Sequence, residues 1–153
     1  MTFEKTAEDV LREAVQKESE AYEIYTRAIH LVQDEHIKKW LRRIAQEELK
    51  HKAALERLLA NPEVLHTGLR RAGQVIAQSD RAGAQVAFIT LRPDSTFHDL
   101  CLFARRQEQQ AYELYLNMAE KCEGEIRTLF DMLAQEELRH ERALRGWCEG
   151  IIE

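Results

Sequence analysis

The chain repeats itself. The segment EAYEIY, Glu20 to Tyr25, returns as QAYELY, Gln110 to Tyr115, and AQEELKH, Ala45 to His51, returns as AQEELRH, Ala134 to His140. The offsets are 90 and 89 residues, so one residue has been lost between the two blocks of the second copy. Any fold for this sequence must therefore contain two equivalent halves.

Each half reads as a helical hairpin. Thr6 with Asp9 can cap a first helix that runs to about Gln33, and a second helix runs from about Glu35 to Ala60, where Asn61-Pro62 stops it. Pro93-Asp94-Ser95 opens a third helix reaching about Lys121, Gly124 marks the next turn, and a fourth helix continues to about Glu149. The expected organisation is a single domain over 1–153: hairpin 1 at about 7–60, a crossover at 62–92, and hairpin 2 at about 95–149. Within the crossover Val64 to Ala77 can form a short helix, which Gly68 and Gly73 weaken. A helix of about 26 residues is about 39 Å long, so some thirty connecting residues can cross its full length. The fold class is all-α, an antiparallel four-helix bundle with one long crossover.

Composition agrees. Only two Pro and six Gly occur, and the 32% charged residues are mixed in sign, which suits long amphipathic helices rather than a sandwich or barrel. The net charge of −5 comes without a basic stripe, which argues against nucleic acid. No apolar run approaches the roughly 18 residues of a membrane span, and MTFEKTAEDV lacks the apolar core of a signal peptide. A cytoplasmic location is expected. Cys101, Cys122 and Cys148 form no C-x-x-C pair, which excludes a thiolate zinc or rubredoxin-type centre; they read as ordinary reduced thiols.

The buried stripes of the four helices carry the chemistry. They read Leu11, Ala14, Glu18, Ala21, Tyr25, Ala28, Val32; Ile37, Leu41, Ile44, Glu48, His51, Leu55, Leu58; Cys101, Ala104, Glu108, Ala111, Tyr115, Met118, Cys122; and Ile126, Phe130, Leu133, Glu137, His140, Leu144, Trp147. Each stripe is apolar at its flanks and ionisable at its middle. Counting from the turns puts Glu18 level with Glu48, and Glu108 level with Glu137. In Glu48-Leu-Lys-His51 and Glu137-Leu-Arg-His140 the spacing of three places carboxylate and imidazole on one face.

Four buried carboxylates without counter-charges would repel one another or hold protons, and no Lys or Arg lies in any stripe. Two divalent cations would balance the four carboxylates, with both imidazoles neutral. Oxygen and imidazole ligands suit iron, manganese or zinc, and the lack of thiolates disfavours a structural zinc site. A lone E-x-x-H is usually a solvated surface pair. Two copies, each following a Glu in the same repeated stripe, are not.

The pattern Glu18-x-x-Ala21-x-x-x-Tyr25, Glu48-x-x-His51, Glu108, and Glu137-x-x-His140 resembles the rubrerythrin branch of the ferritin-like di-iron carboxylate proteins. The resemblance covers both hairpins. It implies a ferritin-like bundle with two iron ions, Glu18 and Glu108 as terminal ligands, Glu48 and Glu137 as bridges, and His51 and His140 capping one metal each. Two departures stand out. Rubrerythrins carry a further carboxylate one turn after the third-helix Glu, where this chain has Ala111. They also append a rubredoxin-like Cys-rich iron domain, absent from this sequence, which implies an external electron-donor protein.

Tyr25 and Tyr115 are candidates to hydrogen-bond ligand carboxylates or pass an electron, and Tyr22 and Tyr112 read as packing residues. Glu47 and Glu136 can each orient an imidazole of the facing hairpin, although a solvated charge is the commoner fate. His30, His36, His66 and His98 read as surface residues.

The function expected from these residues and the resemblance is a di-iron oxidoreductase that reduces peroxide or dioxygen. The alternatives are a ferroxidase whose substrate is Fe²⁺, a hydroxylase, and a non-catalytic, metal-stabilised helical interaction module. Apolar positions such as Val15, Ile24 and Trp40, read as exposed, suggest a homodimer or larger homo-oligomer.

Overall fold

A computed structural model describes residues 4–69, 75–77 and 91–149. The elements are β1 (Glu4–Thr6), α1 (Ala7–Ile29), α2 (Glu35–Ala60), α3 (Pro62–Gly68), β2 (Val75–Ala77), α4 (Phe97–Lys121) and α5 (Gly124–Cys148). Helices α1 with α2, and α4 with α5, form the two hairpins, as the repeat requires.

Local chemistry sets the helix starts. The Thr6 hydroxyl accepts from the Asp9 N–H while Asp9 accepts from the Thr6 N–H, a capping box at α1. Thr96 and Asp99 repeat the device at α4, so that helix begins at Phe97, two residues beyond Ser95. The Pro93 region is instead a turn, closed by Ser95 N–H to the Arg92 carbonyl at 3.1 Å and Arg92 N–H to Ser95 Oγ at 2.7 Å. Asp34 caps α2 through the N–H groups of His36 and Ile37. Helix α1 ends at Ile29, earlier than Gln33, with the N–H of His30 bonded to the Arg27 carbonyl.

The expected helix over Val64 to Ala77 is shorter and shifted. It occupies Pro62–Gly68, with Pro62 in its first turn, where a missing N–H costs nothing. Its last residue, Gly68, packs so close to α5 that an added Cβ would lie 2.6 Å from the Ile126 side chain. Val75–Ala77 is not helical but pairs antiparallel with Glu4–Thr6. Gly73 lies outside the described residues.

The hairpins pack antiparallel to one another. Tyr25 reaches Glu108 and Tyr115 reaches Glu18, a crossed pairing of residues seven apart on α1 and on α4. Helices α2 and α5 cross-pair likewise, His51 with Glu137 and Glu48 with His140. That arrangement requires a connection from one end of the bundle to the other, as a ferritin-like bundle has.

Burial follows the stripes closely. Every stripe residue from Leu11 to Ala28, from Ile37 to Leu58 and from Phe130 to Trp147 is buried; Ala111, Ile126 and Val32 are half-buried. The core divides into two apolar halves. One contains Leu11, Leu55, Met118 and Phe130, the other Ile24, Leu41, Leu100 and Trp147, and the ionisable layer lies between them.

Two expectations fail here. Cys101 and Cys148 are not reduced thiols: they form a disulfide between α4 and α5, with Cα atoms 5.6 Å apart. Only Cys122 among the three is free, and it is buried. Ile24 is also not exposed. It is 6% accessible and sits in the core, while Trp40 packs edge-on against Trp147 with ring centroids 5.8 Å apart and Val15 lies half-buried on the other apolar half. These residues cover the bundle's own interior, so they give no argument for a helix-face dimer. Among the described residues no helix is long and apolar enough to cross a membrane.

Candidate metal centre

All six Glu and His residues of the stripes meet in the middle of the bundle. Glu18, Glu48, His51, Glu108, Glu137 and His140 are each no more than 3% accessible. Two overlapping groups form, each with ligand atoms within 4.8 Å of one another: Glu18, Glu48, His51 and Glu137, and Glu48, Glu108, Glu137 and His140. Glu48 and Glu137 belong to both.

The geometry carries the symmetry of the repeat. His51 Nδ1 lies 2.7 Å from Glu137 Oε1, and His140 Nδ1 lies 2.7 Å from Glu48 Oε1. The same nitrogens are 3.6 Å from Glu18 and 3.5 Å from Glu108. The imidazoles lie nearly parallel, 16° apart, with centroids separated by 6.1 Å.

Each imidazole presents Nδ1 inward and is held from outside by the opposite hairpin. His51 Nε2 bonds Glu136, and His140 Nε2 bonds Glu47 at 2.5 Å; Arg139 in turn donates to both Glu47 oxygens. The bond to His140, with Arg139 assisting, depresses the Glu47 carboxyl to about 2, and the bond to His51 lowers that of Glu136. Both therefore stay ionised acceptors. Sequence alone left them as solvated charges or orienting groups, and the structure makes them orienting groups. Their visible signal was position, four residues before each His and directly before each inward Glu.

The tyrosines do the same for the carboxylates. Tyr25 donates to Glu108 Oε1 at 2.5 Å and Tyr115 to Glu18 Oε1 at 2.6 Å, each across the hairpin boundary. Burial, reinforced by the neighbouring carboxylates, raises both phenols well above their ordinary value, so they remain protonated donors. Tyr22 and Tyr112 only pack against the apolar halves. His30, His36, His66 and His98 are exposed and take no part.

The residues fit a pair of cations. Glu18 Oε2 and Glu108 Oε2 are buried with no hydrogen-bond partner, and Glu48 Oε1 and His140 Nδ1, 2.7 Å apart, face each other without hydrogen-bond geometry. Such orphaned atoms are costly unless something else satisfies them, and all four belong to the two groups above. Burial, then repulsion from the other carboxylates, raises Glu48 and Glu137 well above the usual range. Burial favours the neutral imidazoles, but the surrounding carboxylates outweigh it and lift His51 and His140 to about 9. Without metal the layer thus holds protons where cations would sit, and metal binding must displace them.

The rubrerythrin family model matches residues 2–83 and 99–151, most of the chain. A hypothetical protein from Pyrococcus furiosus shares the fold, with a TM-score of 0.66 at 24% identity over 93% of this chain and 87% of that one. No curated protein matches significantly. The matched residues span both hairpins and every member of the buried Glu/His layer, and the chain belongs to the rubrerythrin family.

Proposed function

We propose that the chain is a di-iron oxidoreductase that reduces peroxide or dioxygen, with electrons from an external donor protein and a cytoplasmic place of work. The observation that supports it is the pair of overlapping buried groups sharing Glu48 and Glu137. On this reading Glu18 with His51, and Glu108 with His140, would each hold one ion, and Glu48 and Glu137, common to both groups, would be shared between the two. Carboxylates and imidazoles admit manganese or zinc as well, but only a redox-active pair serves this reaction.

Two adjacent ferrous ions, when bound, supply two electrons to one O–O bond, which with two protons turns hydrogen peroxide into two water molecules. The chain's own groups hold this centre in shape. Glu47 and Glu136 fix the imidazoles with Nδ1 inward, and the phenols of Tyr25 and Tyr115 hold the terminal carboxylates by one oxygen each, leaving the other for metal. The apolar halves on either side keep bulk water from the layer.

The test is anaerobic loading with Fe²⁺ followed by stopped-flow addition of hydrogen peroxide or dioxygen. Oxidation of two irons per chain by one peroxide, faster than by dioxygen, is expected. Oxygen-driven uptake of many irons per chain would make Fe²⁺ the substrate instead, and no oxidation by either would leave a metal-stabilised module.

Ala111 gives a second expectation. Residue 111 offers a methyl group where rubrerythrins carry the further carboxylate, so neither metal has another ligand from that turn. Both imidazoles should stay within about 0.3 Å of the usual ~2.1 Å bond in the reduced and oxidised states. X-ray absorption spectra of the two states check this, and loss of one imidazole from the iron shell on reduction would contradict it.

A further inference from the structure

We propose that Cys101–Cys148 is a redox-active pair, opened by an external dithiol, that clamps the half of the metal centre lying on the second hairpin. Four observations lead there. The disulfide joins α4 near its start to the last residue of α5, and spans only the second hairpin. The repeat places Cys101 opposite Leu11 (101 − 90) and Cys148 opposite Leu59 (148 − 89), so the first hairpin has an apolar pair at the same place. Glu108 and His140, the two residues specific to one ligand group, lie on these helices seven and eight residues from the cysteines, about 10–12 Å of helix rise. Glu18 and His51, specific to the other group, lie on the hairpin without a disulfide.

The cysteines also differ in access. Cys101 is 2% accessible, whereas Cys148 is half-buried at the end of its helix. An incoming thiolate therefore attacks Cys148 Sγ, forming a mixed disulfide and releasing Cys101 as a thiolate, which takes a proton. The second thiol of the reductant, deprotonated, then attacks its own sulfur in that mixed disulfide and expels Cys148. The reductant leaves as a disulfide and the chain as a dithiol, two electrons having passed. A peroxide reverses this, oxidising both thiols to the disulfide and yielding two water molecules. In the cytoplasm, proposed above as the place of work, a disulfide is ordinarily of this cycling kind.

With the bond open, the start of α4 and the end of α5 fray independently, and Glu108 and His140 lose their common anchor. The other ion keeps its holding set, because its hairpin closes on the Leu11 and Leu59 packing in either state. The clamp on one half rests on the two-metal reading above; the redox activity of the pair does not.

The experiment compares the peroxide-treated chain, the chain reduced with tris(2-carboxyethyl)phosphine, and the Cys101→Ser/Cys148→Ser and Cys101→Leu/Cys148→Leu variants. Thiol titration in denaturant should find one thiol before reduction, Cys122, and three after. For the metal-free chain, reduction should lower Tm by about 10 °C. The melting of both variants should ignore the reductant. With zinc, which is redox-inert, one of two bound ions should leave to a chelator about tenfold faster after reduction and from the Ser variant. Three thiols after peroxide, or a Tm indifferent to reductant, would overturn the redox pair. Equal release rates for both ions in every state would overturn the clamp. If no form holds zinc or any other divalent ion, the metal centre itself is refuted, and the thiol count and Tm still decide the pair.

Discussion

Glu137→Ala should empty both metal positions, lowering the affinity for each ion by more than about 100-fold. Glu137 and Glu48 stand in both ligand groups, so either loss opens two coordination shells at once. Glu18→Ala should be milder. Glu18 stands in one group only, and its removal should weaken one ion while the other is retained. A metal titration of the three proteins separates these patterns. If Glu137→Ala still bound one ion as tightly as the unmodified chain, the shared-carboxylate arrangement would be wrong, whatever the unmodified chain bound. Cavity formation does not confuse the comparison, because Glu18→Ala and Glu137→Ala remove the same atoms from equally buried positions.

Removing metal should destabilise the chain, and more so as pH rises. In the metal-free layer His51 and His140 sit at about 9, above the ordinary 6.5, so the stability they confer is complete below 6.5 and is lost as pH climbs through about 9. Glu48 and Glu137, raised above 4.5, act in the same sense: their protonated forms are the ones the folded layer favours. Glu47, near 2, and the lowered Glu18 and Glu136 act oppositely, contributing above 4.5 and failing as pH falls, which matters only in acid. The loaded chain has exchanged the protons for cations and lacks the alkaline loss. Each imidazole accounts for on the order of 3 kcal/mol between pH 6.5 and 9. The two together make on the order of 6 kcal/mol, so the Tm gap between loaded and chelated protein should widen by roughly 10–20 °C over that interval. Melting curves with and without chelator check it, and a gap that narrows towards pH 9 would contradict the layer's protonation.

Much of this was readable from the repeat. Two copies of one pattern fix the stripe, the level of each ionisable residue and the turn that levels it, because helical rise converts residue counts into heights. The four stripes consequently matched burial almost residue by residue. What escaped depends on contacts between helices far apart in sequence. That Tyr25 meets Glu108 rather than Glu18 follows from the antiparallel packing of α1 on α4, which only the crossover decides. Ile24 reads as exposed because it lies off the three-four stripe, yet it is buried in the apolar half beyond Tyr25. The disulfide did leave a trace: Cys101 lies 23 residues before Gly124 (124 − 101) and Cys148 24 after it (148 − 124), so the hairpin brings them to one level. The pairing of Val75–Ala77 with Glu4–Thr6 left none, since three-residue strands carry no usable alternation.

The central claim is that the buried Glu/His layer holds two metal ions. It is tested most directly by anomalous diffraction from crystals of the chain soaked anaerobically in Fe²⁺. The account predicts two peaks per chain between Glu48 and Glu137, one about 2.1 Å from His51 Nδ1 and the other at the same distance from His140 Nδ1. A single peak there, or peaks confined to surface carboxylates with the layer dark, would contradict it.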